Sequence, residues 1–139
     1  MRVVLDTNTI VSAIGWEGVP RAILLAVRDG RHQLVTSPDL LDELTRVLRY
    51  PRLRPVARHP FLPIVLEWIH QPEHLTVPTE RIRAIANDPV DNIVLEAAVS
   101  GNAAAIVSGD RDVLALKRFR SIQILTARAF AIAHLQTFA

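Results

Sequence analysis

The sequence predicts a three-layer α/β domain, a parallel sheet with helices on both faces. Three observations carry that prediction. Short apolar runs recur at Val3–Leu5 and Ala104–Val107, unbroken in the manner of strands buried on both faces, and Ile122–Leu125 is apolar but for Gln123. Stretches of helical periodicity stand between them, and strands alternating with helices give a parallel sheet. Strong helix-start signals, Ser37-Pro38-Asp39 and Asp88-Pro89, mark where strands hand over to helices.

Taken in order, the first strand runs straight into Asp6, and Thr9 to Gly15 reads as a short helix. Val19 to Asp29 is a second helix, with Pro20 in its first turn and Gly30 at its stop. His32 to Thr36 reads as the second strand. The helix opened by Ser37 carries Leu40, Leu41, Leu44, Val47 and Leu48 as an apolar stripe and ends near Tyr50-Pro51. Pro51 to Pro63 holds four prolines and is the least regular stretch. A helix over Phe61 to His70 and a third strand over His74 to Val77 follow, and Thr79 to Ala86 has no clear pattern. The helix from Asp88 runs to about Ser100. The fourth strand, Ala104 to Val107, ends at Ser108-Gly109-Asp110. Arg111 to Phe119 reads as a helix, Ile122 to Leu125 as the fifth strand, and Ala127 to Gln136 as a closing helix capped by Thr126.

The 139 residues suit a single domain over 1–139, with no repeat, linker or low-complexity tract. Half of them are hydrophobic, which excludes a disordered chain. No run of about 18 apolar residues argues for a membrane span, and the N-terminal strand begins at once, without a leader. The absence of cysteine excludes a disulfide framework and a zinc–thiolate site, and fits a cytoplasmic protein. Fifteen of the sixteen basic residues are arginine, and Lys117 is the single lysine. Genome base composition explains that bias, and so does phosphate recognition, for which the guanidinium fork is shaped.

Five carboxylates fall where strands hand over to helices. Asp6 ends the first strand, Glu43 lies in the second turn of the helix after the second strand, Asp91 follows Asp88-Pro89, and Asp110 and Asp112 follow the fourth strand. In open α/β sheets that edge is where ligands bind. Each acid also has a plain structural role open to it: an Asx turn at Asp6, a surface position at Glu43, a capping box between Asp88 and Asp91, a helix-dipole partner at Asp110 and Asp112. Jointly they point further. Clustered carboxylates repel unless a cation neutralises them, and an oxygen-only set without Cys or His favours Mg²⁺ or Mn²⁺ over zinc. Such ions hold a phosphate oxygen, activate water and stabilise in-line displacement at phosphorus, so the expected reaction is phosphodiester hydrolysis.

Four stretches resemble, in order, the motifs of the PIN-domain ribonucleases: Val3-Val4-Leu5-Asp6-Thr7-Asn8; Ser37-Pro38-Asp39-Leu40-Leu41-Asp42-Glu43-Leu44; Asp88-Pro89-Val90-Asp91-Asn92-Ile93-Val94-Leu95-Glu96; and Ile106-Val107-Ser108-Gly109-Asp110-Arg111-Asp112. The branch most similar is that of toxin components of toxin–antitoxin pairs, the VapC-like proteins. The resemblance implies a five-stranded parallel sheet of order 3-2-1-4-5 and Mg²⁺- or Mn²⁺-dependent cleavage of RNA. It implies that Asp6, Glu43, Asp91 and Asp110 are catalytic, metal-binding acids, with Asp112 an additional acid, and that Asn8 and Ser108 orient ligands or water from behind them. It further implies a homodimer and a small antitoxin partner. Two departures stand out. Val90 and Asn92 occupy places where relatives often carry acids, which leaves one ion or two open, and Ser108 replaces the usual threonine.

Arg46, Arg49, Arg52, Arg54, Arg58 and His59 crowd into fourteen positions around Tyr50. The first four make a candidate RNA track, since arginine neutralises phosphate and tyrosine stacks on bases; a solvated helix end is the alternative. Trp16 is placed to line the cleft, a partner surface or the core, and Trp68 belongs to an apolar helix stripe. The five histidines show no ligand spacing. A haloacid-dehalogenase-type phosphatase would need an acid at Asn8 and a lysine near the phosphate, and a receiver domain would need a lysine after a strand; Lys117 is misplaced for both. A non-catalytic RNA- or partner-binding scaffold and a housekeeping RNA-processing nuclease remain as alternatives to the toxin.

Overall fold

The computed structural model of the chain describes residues 1–85 and 91–135. Its elements are β1 (Arg2–Leu5), α1 (Thr7–Gly15), α2 (Val19–Arg28), β2 (Gln33–Val35), α3 (Pro38–Val47), α4 (Arg54–Ala57), α5 (Phe61–Ile69), α6 (Asn92–Ser100), β3 (Ala105–Val107), α7 (Arg111–Leu114), β4 (Arg118–Phe119), β5 (Ile122–Leu125) and α8 (Ala127–His134). The five strands form one sheet of order β2-β1-β3-β5-β4. All pairings are parallel except that of β4 with β5.

Strand alternation makes the three layers. Val4, Val35, Ile106 and Ile124 stand in register across four strands and point into one core, against Leu95, Ala97 and Ala98 of α6. Val3, Leu5, Leu34, Ala105 and Val107 point the other way, onto Ile10, Ile14, Ile23, Leu24 and Phe130 of α1, α2 and α8. Val3, Val4, Ala105, Ile106 and Val107 are wholly buried, as the unbroken apolar runs require.

The expected helix starts at Ser37 and Thr126 hold. Ser37 Oγ accepts a hydrogen bond from the Leu40 amide, and Thr126 Oγ1 from the Ala129 amide. Three expectations change. The strand expected over His74 to Val77 is a single parallel bridge between Thr36 and Leu75, lying beyond β2 as the expected order requires. Pro72 and Pro78 bracket it, and proline neither donates to a ladder nor lets the chain before it relax freely. The helix expected over Arg111 to Phe119 stops at Leu114. Lys117 (φ 60°) and Arg120 (φ 54°) adopt left-handed backbone, which ends the helix and folds Arg118–Phe119 back as an antiparallel edge on β5. The stretch after Pro51 is helical in two short pieces, a 3₁₀ turn over Pro51–Leu53 and then α4, with Leu53 and Val56 plugged into the core. The helix start at Asp88-Pro89, its capping box with Asp91, and Gln136 lie outside the described residues.

Candidate metal centre at the carboxyl edge of the sheet

β1 and β3 are neighbours, so the residues that leave their carboxyl ends meet. Asp6 leaves β1 and caps α1; its Oδ1 accepts from the Thr9 amide at 2.8 Å. Its Oδ2 accepts from Ser108 Oγ at 2.6 Å and from the Gly109 amide at 3.4 Å. Only 7% of Asp6 is exposed, and these donors satisfy a carboxylate that would otherwise be costly to bury. Ser108 in turn accepts from the Asp110 amide at 3.0 Å, which joins the ends of both strands in one short relay.

Asp110 caps α7, its Oδ1 accepting from the Asp112 and Val113 amides at 2.8 and 3.2 Å. The structural reading of Asp6 and Asp110 as caps and their placement in a cleft are therefore compatible: backbone donors take one side of each carboxylate and hold it still. Asp91 sits at the head of α6. Ligand oxygens of Asp91, Asp110 and Asp112 all lie within 4.8 Å of one another. That spacing and the all-oxygen donor set fit a hard divalent cation.

Glu43 arrives from the other wall. It lies on α3, on the half-buried side of the helix, where Thr7 Oγ1 donates a hydrogen bond to its Oε1. Arg46 Nη2 stands 3.9 Å from its Oε2. Asp6, Glu43, Asp91 and Asp110 line one open cleft of about 240 Å³, with Asn8 on its exposed side. Val94 and Val113 give this polar site an apolar floor.

The structure sorts the remaining candidates. Arg46 and Arg52 line the cleft, as does Tyr50; Arg49 and Arg54 are exposed away from it. Trp16 is 54% exposed and lies outside the cleft lining. Trp68 packs half-buried on the core with its ring against His74, 4.8 Å between centroids. Asn92, where an acid is often expected, faces away from any ligand role. Its Oδ1 accepts from the Ile85 amide and its Nδ2 donates to the Ile85 carbonyl, both at 2.9 Å. One turn on, the buried Glu96 accepts from the Ile82 amide at 2.9 Å. Sequence reasoning missed this clamp and the role of Thr7. A hydroxyl between Asp6 and Asn8 was the visible signal for Thr7. The clamp gave none, because its acceptors and donors are backbone groups of an irregular segment.

The sequence model of the PIN-domain family matches residues 2–112, a span that includes all five acids. No curated protein and no solved structure matches the chain at a significant level. The match covers most of the chain, so the chain belongs to the PIN-domain family, whose members are generally nucleases that use divalent metal ions.

Proposed function

We propose that this PIN domain is an Mg²⁺- or Mn²⁺-dependent endoribonuclease of the VapC-like branch, the toxin of a toxin–antitoxin pair. One observation carries the enzymatic part: acids from four separate segments of the chain, Asp6, Glu43, Asp91 and Asp110, line one cleft, and two of these, Asp91 and Asp110, have oxygens that lie with one of Asp112 within 4.8 Å of one another. Asp6, Glu43, Asp91 and Asp110 act as the catalytic, metal-holding acids, and Asp112 adds a further oxygen at the exposed side. A divalent cation bound there would polarise a phosphate oxygen and activate water at neutral pH.

The chain's own residues supply rigidity and orientation. Ser108 and the Thr9 amide fix the Asp6 carboxylate, and Thr7 fixes that of Glu43. The helical amides of α7 hold Asp110. Asn8, exposed at the rim, offers an amide to a phosphate oxygen or a water. Phosphoryl chemistry of this kind rests on positioning and on compensation of charge, which is what such a carboxylate frame provides.

The biological setting is part of the proposal: a cytoplasmic homodimer, silenced by a small antitoxin protein. Among the described residues no single helix is long and apolar enough to cross a membrane. Ile64 on α5 is 46% exposed, apolar surface that a second subunit would cover.

The test is cleavage of mixed single-stranded RNA with Mn²⁺, with Mg²⁺ and with EDTA, for wild type and Asp6→Asn side by side. Metal-dependent cutting is expected, with a loss of at least about 10³-fold in the variant, the scale of deleting one member of a catalytic group. Full activity of a folded Asp6→Asn protein would overturn the site. Growth arrest on expression, relieved by the product of an adjacent small gene, is expected of a toxin; unaffected growth would assign the nuclease to housekeeping RNA processing.

A further inference from the structure

The face of α3 that presents Glu43 continues past the end of the helix. Glu43, Arg46, Val47 and Tyr50 follow one another at i, i+3, i+4 and i+7, and all four line the cleft. The turn is kept beyond Val47 by the Tyr50 amide, which donates to the Val47 carbonyl at 3.0 Å. Pro51 then starts a 3₁₀ turn that brings Arg52 back, its guanidinium over the Tyr50 ring, 5.6 Å from the centroid. Tyr50 is 38% exposed at a cleft wall, an unusual place for a large ring. The helix rises about 6 Å from Glu43 to Val47, and Tyr50 follows one turn further on the same side, in the same cleft lining as the acids.

We propose that Tyr50, with Arg52 against its ring, is a nucleobase-stacking subsite for a nucleotide flanking the scissile phosphodiester. The inference rests on the nuclease reading and deepens it. An aromatic face takes any base by stacking, while a guanidinium beside it pairs with phosphate and adds a cation–π contribution. Stacking of this kind requires the base to be unpaired. The subsite therefore selects single-stranded or splayed-out RNA and rejects continuous duplex, whose bases stack on one another. Arg46, bridging the acids and Tyr50, meets the intervening backbone. Of the arginines in this segment, Arg49, Arg54 and Arg58 stand outside the cleft lining and are not part of the subsite.

Binding of a fluorescent single-stranded RNA, measured by anisotropy in EDTA so that no strand is cut, tests the subsite directly. Tyr50→Ala is expected to weaken binding about 5- to 150-fold, the range of one lost base–aromatic stack, and Tyr50→Phe to stay near wild type. Arg52→Gln should reduce the slope of log affinity against log salt by about 0.7, one phosphate contact on a single strand. Duplex RNA of the same length should show no difference between Tyr50→Ala and wild type. Because Tyr50 is part-exposed, circular dichroism should report an unchanged fold in each variant. Equal binding of single strands by Tyr50→Ala and wild type would overturn the subsite, as would a Phe variant as weak as the Ala variant, an equal loss on duplex, or a wild type that binds no single-stranded RNA. The same variants separate this inference from the nuclease itself. A wild type that cuts with metal while Tyr50→Ala binds and cuts equally well leaves the nuclease and removes the subsite. A wild type that binds through Tyr50 but never cuts does the reverse.

Discussion

The two walls of the cleft are built differently. One wall comes from the carboxyl ends of β1 and β3. There Asp6 is 7% exposed, Ser108 is 1% exposed, and backbone amides hold the Asp6 and Asp110 carboxylates, with the Ser108 hydroxyl added at Asp6. The other wall is the outer end of α3 and the turn after it, where Arg46, Tyr50 and Arg52 are exposed, Arg52 over the Tyr50 ring and Arg46 beside Glu43. The first has almost no freedom, because central strands fix the backbone and the backbone fixes the acids. The second can adjust its side chains without disturbing the core. A hydrolytic centre needs the former and recognition of a varied polymer needs the latter, which is why the proposed chemistry is assigned to the first wall and the proposed base stacking to the second.

Substitutions can break that contrast in graded ways. The largest effect after loss of Asp6 itself is expected from Ser108→Ala. It leaves a buried carboxylate oxygen short of its closest donor, and a 10- to 100-fold loss in metal affinity is expected, the usual range for a residue that supports a metal ligand. Calorimetric titration with Mn²⁺ measures this, and Ser108→Thr, which keeps the hydroxyl, should restore it. No change in affinity would show that Asp6 does not depend on the relay. Thr7→Val keeps the volume and removes the donor to Glu43. It should lower kcat/KM by about tenfold, less than Ser108→Ala, because Glu43 lies on the more adjustable wall. An equal or larger loss would erase the distinction between the walls.

Asn92→Asp asks whether an acid has been lost from the site or a clamp gained. The clamp predicts no new metal affinity and a destabilisation of about 1–3 kcal/mol, since the Ile85 carbonyl loses its donor. Urea denaturation in the presence and absence of Mn²⁺ reads both quantities; tighter metal binding at unchanged stability would count against the clamp.

The smallest effect expected is one of pH, far from the cleft. Burial, followed by the Met1 ammonium and neighbouring cations, pushes His32 below its ordinary value, against an opposing hydrogen bond to the His134 carbonyl. Burial likewise lowers His74, whose Nε2 has no hydrogen-bond partner among the described residues. Both depressed values mean that the unfolded chain binds protons more readily. Stability is therefore full above about pH 6.5, the unfolded value, and is lost as the pH falls through the folded ones. Melting temperature measured from pH 7.5 to pH 5 should fall, and should fall less in His32→Gln; a flat profile would contradict the assignment.

Which features were legible in the chain follows from how local their causes are. Asp6 after Val3-Val4-Leu5 could be placed at a strand end because an unbroken apolar run and its terminating acid are neighbours in sequence. The caps at Ser37 and Thr126 were readable for the same reason. The edge of the sheet was less so. The Thr36–Leu75 bridge falls short of a strand because prolines flank it, and β4 exists because Lys117 and Arg120 take left-handed backbone, which their identities do not announce. The arginine cluster looked uniform in sequence; helical phase and the turn at Pro51 separated Arg46 and Arg52 from Arg49 and Arg54.

The sequence alone determined the layered class, the central strands with helices between them, and where along the chain the acids stand, since hydrophobic period, turn chemistry and motif spacing are properties of contiguous residues. Only the tertiary structure decided that Ser108 donates to Asp6 across 102 positions, that Thr7 holds Glu43 across 36, and that Asn92 serves the Ile85 backbone. Those contacts depend on which strands become neighbours and on the direction in which each side chain leaves its element, and both are set by burial of the two apolar faces of the sheet over the whole chain.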